Sequence, residues 1–301
     1  MIVVIGGPTA AGKSALALAL AERLDGEIVG ADSRQLYCGL PIASAGPTTS
    51  DRARAPHHLY GSVSPLAEVA ALSAASFLQL ADDVINDIQA RGKVAVVVGG
   101  SGLYLRALRL GLDEALPTDP ELKRTLEQDL AREGLSTLVA RLRAVDVDAA
   151  DGIDRNNPVR VVRALEIALL GGNAGGRCIE ALLLRPPRPA CANARFLLVD
   201  DARLLERIDA RTRAMYAGGI VDEAVALSEI LPLGHALLRT IGVHEALEVA
   251  LGLSSVENAI DATATRTRQY AKRQRTWFKK EPWWTRVNAA DVDGALSVAT
   301  R

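Results

Sequence analysis

Residues 7–14 read Gly7-Pro8-Thr9-Ala10-Ala11-Gly12-Lys13-Ser14, the spacing G-x-x-x-x-G-K-S. A loop of this kind turns main-chain N–H groups inward and hands the chain to a helix N-terminus, so it cradles linked phosphates. Lys13 puts a cation on the phosphate oxygens and Ser14 offers a hydroxyl to Mg²⁺. The flanks fit. Met1–Ile5 is a short apolar run of buried-strand length, and Ser14–Leu24 is rich in Ala and Leu and stops at Gly26. The run predicts strand, loop and helix around a polyphosphate or pyrophosphate; by itself it does not specify ATP.

The rest of the chain supplies a sheet for that loop. Glu27–Gly30 predicts a second strand, ending in Ala31-Asp32-Ser33-Arg34-Gln35. Polar groups just past a strand end, beside a phosphate loop, lie where an open α/β sheet places its ligand. Asp32 is therefore a candidate for chemistry or, alternatively, the N-cap of the next turn. Residues 38–64 are rich in Gly, Pro, Ser and Thr and predict a long loop containing His57 and His58, which are expected to make hydrogen bonds there rather than hold a metal. Glu68–Ala90 predicts an amphipathic helix, and Val94–Val98 a central parallel strand. Gly99-Gly100-Ser101-Gly102 follows, with Ser101 either contacting a ligand or capping the next helix.

From Leu112 the strands stop. Asp119–Glu133 and Leu135–Val145 predict two short helices, and Asn157-Pro158 opens a third that ends before Gly171 and carries Arg160 and Arg163. Residues 112–190 are thus expected to be an all-helical insertion, with Gly171–Gly176 and Arg185–Pro189 as connectors. Arg195–Asp200 predicts a return to the sheet. Leu204–Leu231 reads as helix broken at Gly218-Gly219, with Arg211 on the apolar stripe of Leu204, Ile208 and Met215. A buried arginine is costly unless an anion meets it; a carboxylate and a pyrophosphate are the two candidates.

Charge is uneven. Residues 263–301 hold nine Lys/Arg against three Asp/Glu, while the remainder holds 26 against 33. Arg268, Lys272, Arg275 and Lys279 recur at helical spacing, forming a basic stripe suited to a polyanion. No apolar run reaches the ~18 residues of a membrane span. Cys38, Cys178 and Cys191 form no C-x-x-C pair and are expected to be reduced thiols in a cytoplasmic protein, without zinc.

Taken together, Gly7–Ser14, Ala31–Tyr37, Pro56–Leu59, Val97–Tyr104, Arg160–Glu166 and Arg268–Phe278 resemble the tRNA dimethylallyltransferase (tRNA isopentenyltransferase) family, in family order over nearly the whole chain. The resemblance implies an α/β, P-loop kinase-like core with a parallel sheet flanked by helices, built from 1–111 and 191–301. It implies that residues 112–190 grip the tRNA anticodon arm. The expected reaction transfers a prenyl group from dimethylallyl diphosphate, with Mg²⁺, to N6 of the adenine 3′ of the anticodon. Lys13 and Arg211 would stabilise charge on the leaving diphosphate, Asp32 would take the amine proton, and Ser101, where the family usually has Thr, would orient that amine. The adenine must be turned out of its stack, at ~2–3 kcal/mol. Implied tRNA contacts are Asp32, Ser33, Arg34, Gln35, Ser101, Lys123, Val159, Arg160, Arg163 and Arg239, joined by Arg268, Lys272 and Arg275 of the basic stripe. A monomer is expected.

The chain departs from the family pattern at Ala43–Pro47, where Gly46 replaces the usual Lys. It also departs at Lys123 (usually Arg), Asn157-Pro158 (usually Asp-Arg), Val159 (usually Gln) and Val243-His244 (usually Tyr followed by Lys or Arg). Two other functions remain open on the sequence: an ATP-dependent small-molecule phosphoryl transferase, and a tRNA-binding relative without catalysis.

Overall fold

The computed structural model describes residues 1–66, 73–112, 117–172, 183 and 185–301. It divides into two compact units, one of residues 1–111 and 187–301 and one of residues 112–186.

The first unit is built on a six-stranded, all-parallel sheet in the order β3-β2-β4-β1-β5-β6. Its strands are β1 (Ile2–Gly6), β2 (Gly26–Gly30), β3 (His57–His58), β4 (Val94–Val98), β5 (Arg195–Val199) and β6 (Thr285–Val287). The expected α/β class is what forms. The two middle strands, β1 and β4, carry no polar side chain because helices cover both faces. Alternation then divides their side chains. Val3, Ile5, Val96, Val98, Leu197 and Val199 pack with Leu16 and Leu20 of α1 (Lys13–Arg23). Ile2, Val4, Ala95, Val97 and Leu198 pack with Phe77, Ile85 and Ile88 of α3 (Ala74–Ala90), and with Leu105 and Leu108 of α4 (Gly102–Leu110). Each such Val, Ile or Leu contributes ~1.5–3 kcal/mol over leaving it in water.

The 38–64 stretch is not a plain loop, which corrects the sequence reading. Thr48 and Asp51 form a capping box that starts α2 (Thr49–Arg54), and His57-His58 pairs with β2 as edge strand β3. The histidines do make hydrogen bonds: His57 Nδ1 lies 2.8 Å from the Ala55 carbonyl oxygen and His58 Nε2 lies 2.7 Å from Glu27 Oε2. In the expected Glu68–Ala90 helix, residues 68–72 lie outside the described set, and Ser73 caps the helix that begins at Ala74. Cys178 and residues 173–176 of the expected connector also lie outside it.

The second unit holds α5 (Pro120–Glu133), α6 (Leu135–Val145), α7 (Val147–Gly152) and α8 (Pro158–Leu169). Its core comprises Leu126, Leu138, Leu142, Val161 and Leu165. Asn157 caps α8 through Oδ1, and Pro158 occupies its first turn. The sequence did not separate α7, whose cap is Asp146.

After β5 the first unit adds α9 (Leu204–Ala217), α10 (Ile220–Ile230), α11 (Val243–Ala250), α12 (Val256–Phe278) and α13 (Val292–Thr300). The break expected at Gly218-Gly219 separates α9 from α10.

Candidate active site

The ends of β1, β2 and β4 converge at the C-terminal edge of the sheet, where an open parallel sheet binds its ligand. The loop after β1 is residues 7–12. Gly7 approaches β5 so closely that any Cβ would run into the Val199 carbonyl oxygen. Gly12 stands at the helix N-cap with φ 95° and gives α1 no side-chain cap. The first-turn N–H groups of α1 are therefore left to an external acceptor, and an anion satisfies them. Ala10 adopts φ 64°, a left-handed conformation that costs a non-glycine residue ~1 kcal/mol and holds the loop curled.

Three cations surround that loop. The Lys13 ammonium donates to the Pro8 carbonyl oxygen at 2.7 Å. Burial pulls its pKa down to about 8, with Asp32 working to raise it and Arg211 to lower it. Arg211 projects from α9 and donates from Nη2 to Thr9 Oγ1 at 2.8 Å, while its buried Nε has no hydrogen-bond partner. Burial lowers its pKa and Asp32 opposes the shift. No carboxylate forms an ion pair with Arg211 among the described residues; Asp32 acts on it through its charge. Arg207, one helical turn earlier, was not picked out from the sequence. Its guanidinium lies 3.5 Å from where a Gly12 side chain would begin, and it pairs with Asp201 at 3.2 Å. The i,i+4 spacing to Arg211 was the available signal.

Asp32 sits on the loop after β2. Its Oδ1 accepts from the Arg34 N–H at 2.9 Å, so it does cap the local turn. Its Oδ2 lies 3.6 Å from the position of a Cβ on Gly100, and its charge acts on Lys13, Arg211, Tyr60, Tyr104 and Tyr270. The carboxylate thus faces the cationic loop rather than crossing the sheet. Ser101 stands at the N-cap position of α4 but makes no capping bond; its Oγ accepts from the Ser33 N–H at 3.1 Å and ties the β4 and β2 loops together. Gln35 Nε2 donates to the carbonyl oxygens of Ser44 and Ala45, each at 3.0 Å. A 240 Å³ cavity beside it is lined by Gln35, Tyr37, Arg52 and Tyr60.

One side chain that the sequence reading passed over joins the phosphate loop to the β4 loop. Gln274 of α12 accepts from the Thr9 N–H at 2.8 Å through Oε1 and donates from Nε2 to the Gly100 carbonyl oxygen at 2.9 Å.

The remaining polyanion candidates fall into two groups. Lys123, Val159, Arg160, Arg239 and Lys272 are exposed, and the cations among them form no ion pair among the described residues. Arg163, Arg268 and Arg275 are engaged within the protein, which the spacing did not foretell. Arg163 donates to the Pro117 carbonyl oxygen and to Glu166 Oε2 at 2.6 Å. Arg268 pairs with Asp209 at 2.5 Å and Arg275 with Asp200 at 2.7 Å. The partners of Arg268 and Arg275 stand on other segments, invisible to a helical count along α12, whereas Glu166 lies three residues after Arg163 on α8.

Residues 35–281 match the model of a family described as IPP transferase. The tRNA dimethylallyltransferase of Anaeromyxobacter dehalogenans is 48% identical over 282 residues, covering 93% of this chain and 92% of that protein. That of Salinispora tropica is 43% identical over 302 residues, covering 100% and 92%. The crystal structure of the full-length tRNA isopentenylpyrophosphate transferase from Bacillus halodurans matches with a TM-score of 0.68 at 31% identity, over 98% of this chain and 94% of that one. A eukaryotic dimethylallyltransferase acting on tRNA matches with a TM-score of 0.74 at 27% identity, over 99% and 76%. With likenesses that run over nearly its whole length, the chain belongs to the IPP transferase family, as a prenyltransferase of the tRNA dimethylallyltransferase kind.

Proposed function

We propose that this enzyme transfers the dimethylallyl group of dimethylallyl diphosphate to N6 of the adenine on the 3′ side of the anticodon, releasing diphosphate. The observation that carries the reading is the pairing of a cationic, amide-lined loop with the Asp32 carboxylate, whose charge acts on both Lys13 and Arg211. When the bond between the prenyl carbon and the diphosphate oxygen breaks, negative charge grows on the diphosphate. The amides of Ala10 and of residues 12–14, Lys13 and Arg211 meet that charge, and the vacant Nε of Arg211 gives it another donor. The exocyclic amine of adenine is a weak nucleophile until it sheds a proton as the new C–N bond forms. Asp32 accepts that proton, and its tie to the Arg34 N–H fixes the carboxylate for the purpose. Ser101, held against Ser33, lies beside it to orient the amine.

Mg²⁺ fits the site by its chemistry. The Ser14 hydroxyl is exposed at the start of α1 and has no hydrogen-bond partner among the described residues. A lone hydroxyl, completed by diphosphate oxygens and water, is the sparse protein ligation Mg²⁺ accepts. The ion would neutralise charge on the diphosphate. The exposed Lys123, Arg160, Arg239 and Lys272 are proposed to contact the tRNA backbone, with Val159 beside Arg160. Arg163, Arg268 and Arg275 already spend part of their donors on carboxylates within the protein. Ser33, Arg34 and Gln35 flank the adenine. No described helix is long and apolar enough to cross a membrane. Action on tRNA supports a cytoplasmic location for the enzyme.

Asp32→Asn is the direct test, because asparagine keeps the acceptor for the Arg34 N–H and removes only the base. Turnover is expected to fall more than ~100-fold with tRNA affinity within a few-fold of wild type. Unchanged turnover rejects the role of Asp32.

A further inference from the structure

We propose that Gln274 is a positioning residue that sets the phosphate loop and the Asp32–Ser101 side of the pocket in register. This rests on the catalytic reading above. Gln274 lies on the buried line of α12, between Ala271 and Phe278, and is only 5% exposed. A glutamine in such a place must satisfy both ends of its amide. It does so with main-chain groups from two different strand ends. Oε1 takes the Thr9 N–H of the loop after β1, and Nε2 serves the Gly100 carbonyl oxygen of the loop after β4. The amide orientation follows from the partners, since the reverse would set NH₂ against N–H and oxygen against oxygen.

Three consequences meet at this amide. The Thr9 N–H is committed to Gln274, so it is withheld from the diphosphate. The Thr9 hydroxyl, on the same residue, receives Arg211. Gly100 on the other side is flanked by the Gln274 amide and by Asp32: a Cβ there would run into Nε2 and lie 3.6 Å from Asp32 Oδ2. One side chain therefore spans from the residue that seats Arg211 to the residue that backs the base. It contacts neither the leaving group nor the amine. It fixes the separation between the groups that hold one and deprotonate the other.

The chemistry of the contact supplies a test that a merely structural glutamine would fail. A protonated glutamate offers one carbonyl acceptor and one O–H donor, the same pair Gln274 uses. An ionised glutamate offers two acceptors, opposes the Gly100 carbonyl oxygen and adds negative charge beside Asp32 and the diphosphate. Full-length Gln274→Glu, Gln274→Met and wild type would be compared for prenyl transfer to tRNA from about pH 6 to about pH 9, each rate divided by that of wild type at the same pH so that pH effects common to the proteins cancel. Gln274→Glu is expected within ~3-fold of wild type at the acid end and to fall at least ~30-fold further at the alkaline end through one added ionisation, while Gln274→Met is down ~10-fold or more at every pH. A Gln274→Glu ratio that does not change with pH overturns the proposal. So does Gln274→Met within twofold of wild type, which alone decides the matter should Gln274→Glu fail to fold. Asp32→Asn, assayed alongside, reports on the catalytic reading separately; if it is as active as wild type, that reading and this proposal fall together.

Discussion

Burial holds the Lys13 ammonium at a pKa of about 8, and its proton is shared between the pull of Asp32 and the push of Arg211. A bound diphosphate adds negative charge and must raise that pKa. The sign follows: below about pH 8 the free enzyme carries the cation already, and above it binding has to recruit a proton. The KM for dimethylallyl diphosphate should therefore climb as pH rises past 8, approaching ~10-fold per pH unit, with proton uptake visible by calorimetry in buffers of different ionisation heat. Lys13→Met should bind more weakly and without this dependence. A wild-type KM that stays flat from pH 7 to about pH 9.5 would contradict the assignment. At this scale the loop residues were legible because each does local work set by spacing. Gln274 was not, since periodicity treats a polar residue on a buried line as an interruption and cannot show the two carbonyl-side and amide-side partners, 174 and 265 residues away.

Strand β2 owes its placement to a buried acid as much as to its apolar neighbours. Glu27 is 2% exposed and is held by Arg91, which donates to both its oxygens and also to Asp87, and by His58 across the β2–β3 pair. The Arg91 hydrogen bonds outweigh burial and bring the Glu27 pKa down to about 2. Because the folded value lies below the unfolded one, near 4.5, this contribution is complete above about pH 4.5 and fades as pH falls towards 2. Glu27→Gln should cost ~2 kcal/mol at pH 7 by urea denaturation, with the two proteins converging near pH 2. An equal gap at both pH values would show that charge is not what holds β3 to the sheet. Edge strands of two and three residues, β3 and β6, are too short for alternation to declare itself, so the sequence did not show them. By contrast β4 was legible to the residue, since a central parallel strand is an uninterrupted apolar run. The capping box at Thr48 and Asp51 was present in the sequence as T-x-x-D but was submerged in a stretch rich in Gly and Pro.

On the scale of the whole molecule, net charge is −1 and conceals a basic C-terminal segment on an acidic remainder. Part of that basicity is consumed inside the first unit, by Asp200, Asp209 and Glu245. What is left for a polyanion is narrower than the composition suggested and includes Lys272, Arg273, Lys279 and Lys280 on or just past α12, Arg239 and Arg286 elsewhere in the first unit, and Lys123 and Arg160 in the second unit. Lys123→Ala and Arg160→Ala should each weaken tRNA binding, lower the slope of log affinity against log salt by ~0.7, and leave kcat within twofold. Arg163→Ala should instead destabilise the second unit, since it strips Glu166, which is fully buried, of its cation. The separation of an α/β unit from a helical one could be read from where strands cease and resume. That Arg268 and Arg275 are engaged could not, because their carboxylates lie 59 and 75 residues away in sequence. The most direct test of the central claim is nucleoside mass spectrometry of unmodified tRNA incubated with the purified enzyme, Mg²⁺ and dimethylallyl diphosphate, with Asp32→Asn in parallel. The expected result is one five-carbon unit on N6 of the adenine 3′ of the anticodon, formed by wild type and lost in Asp32→Asn; ATP consumption with no prenylated adenine, or equal product from both proteins, would contradict it.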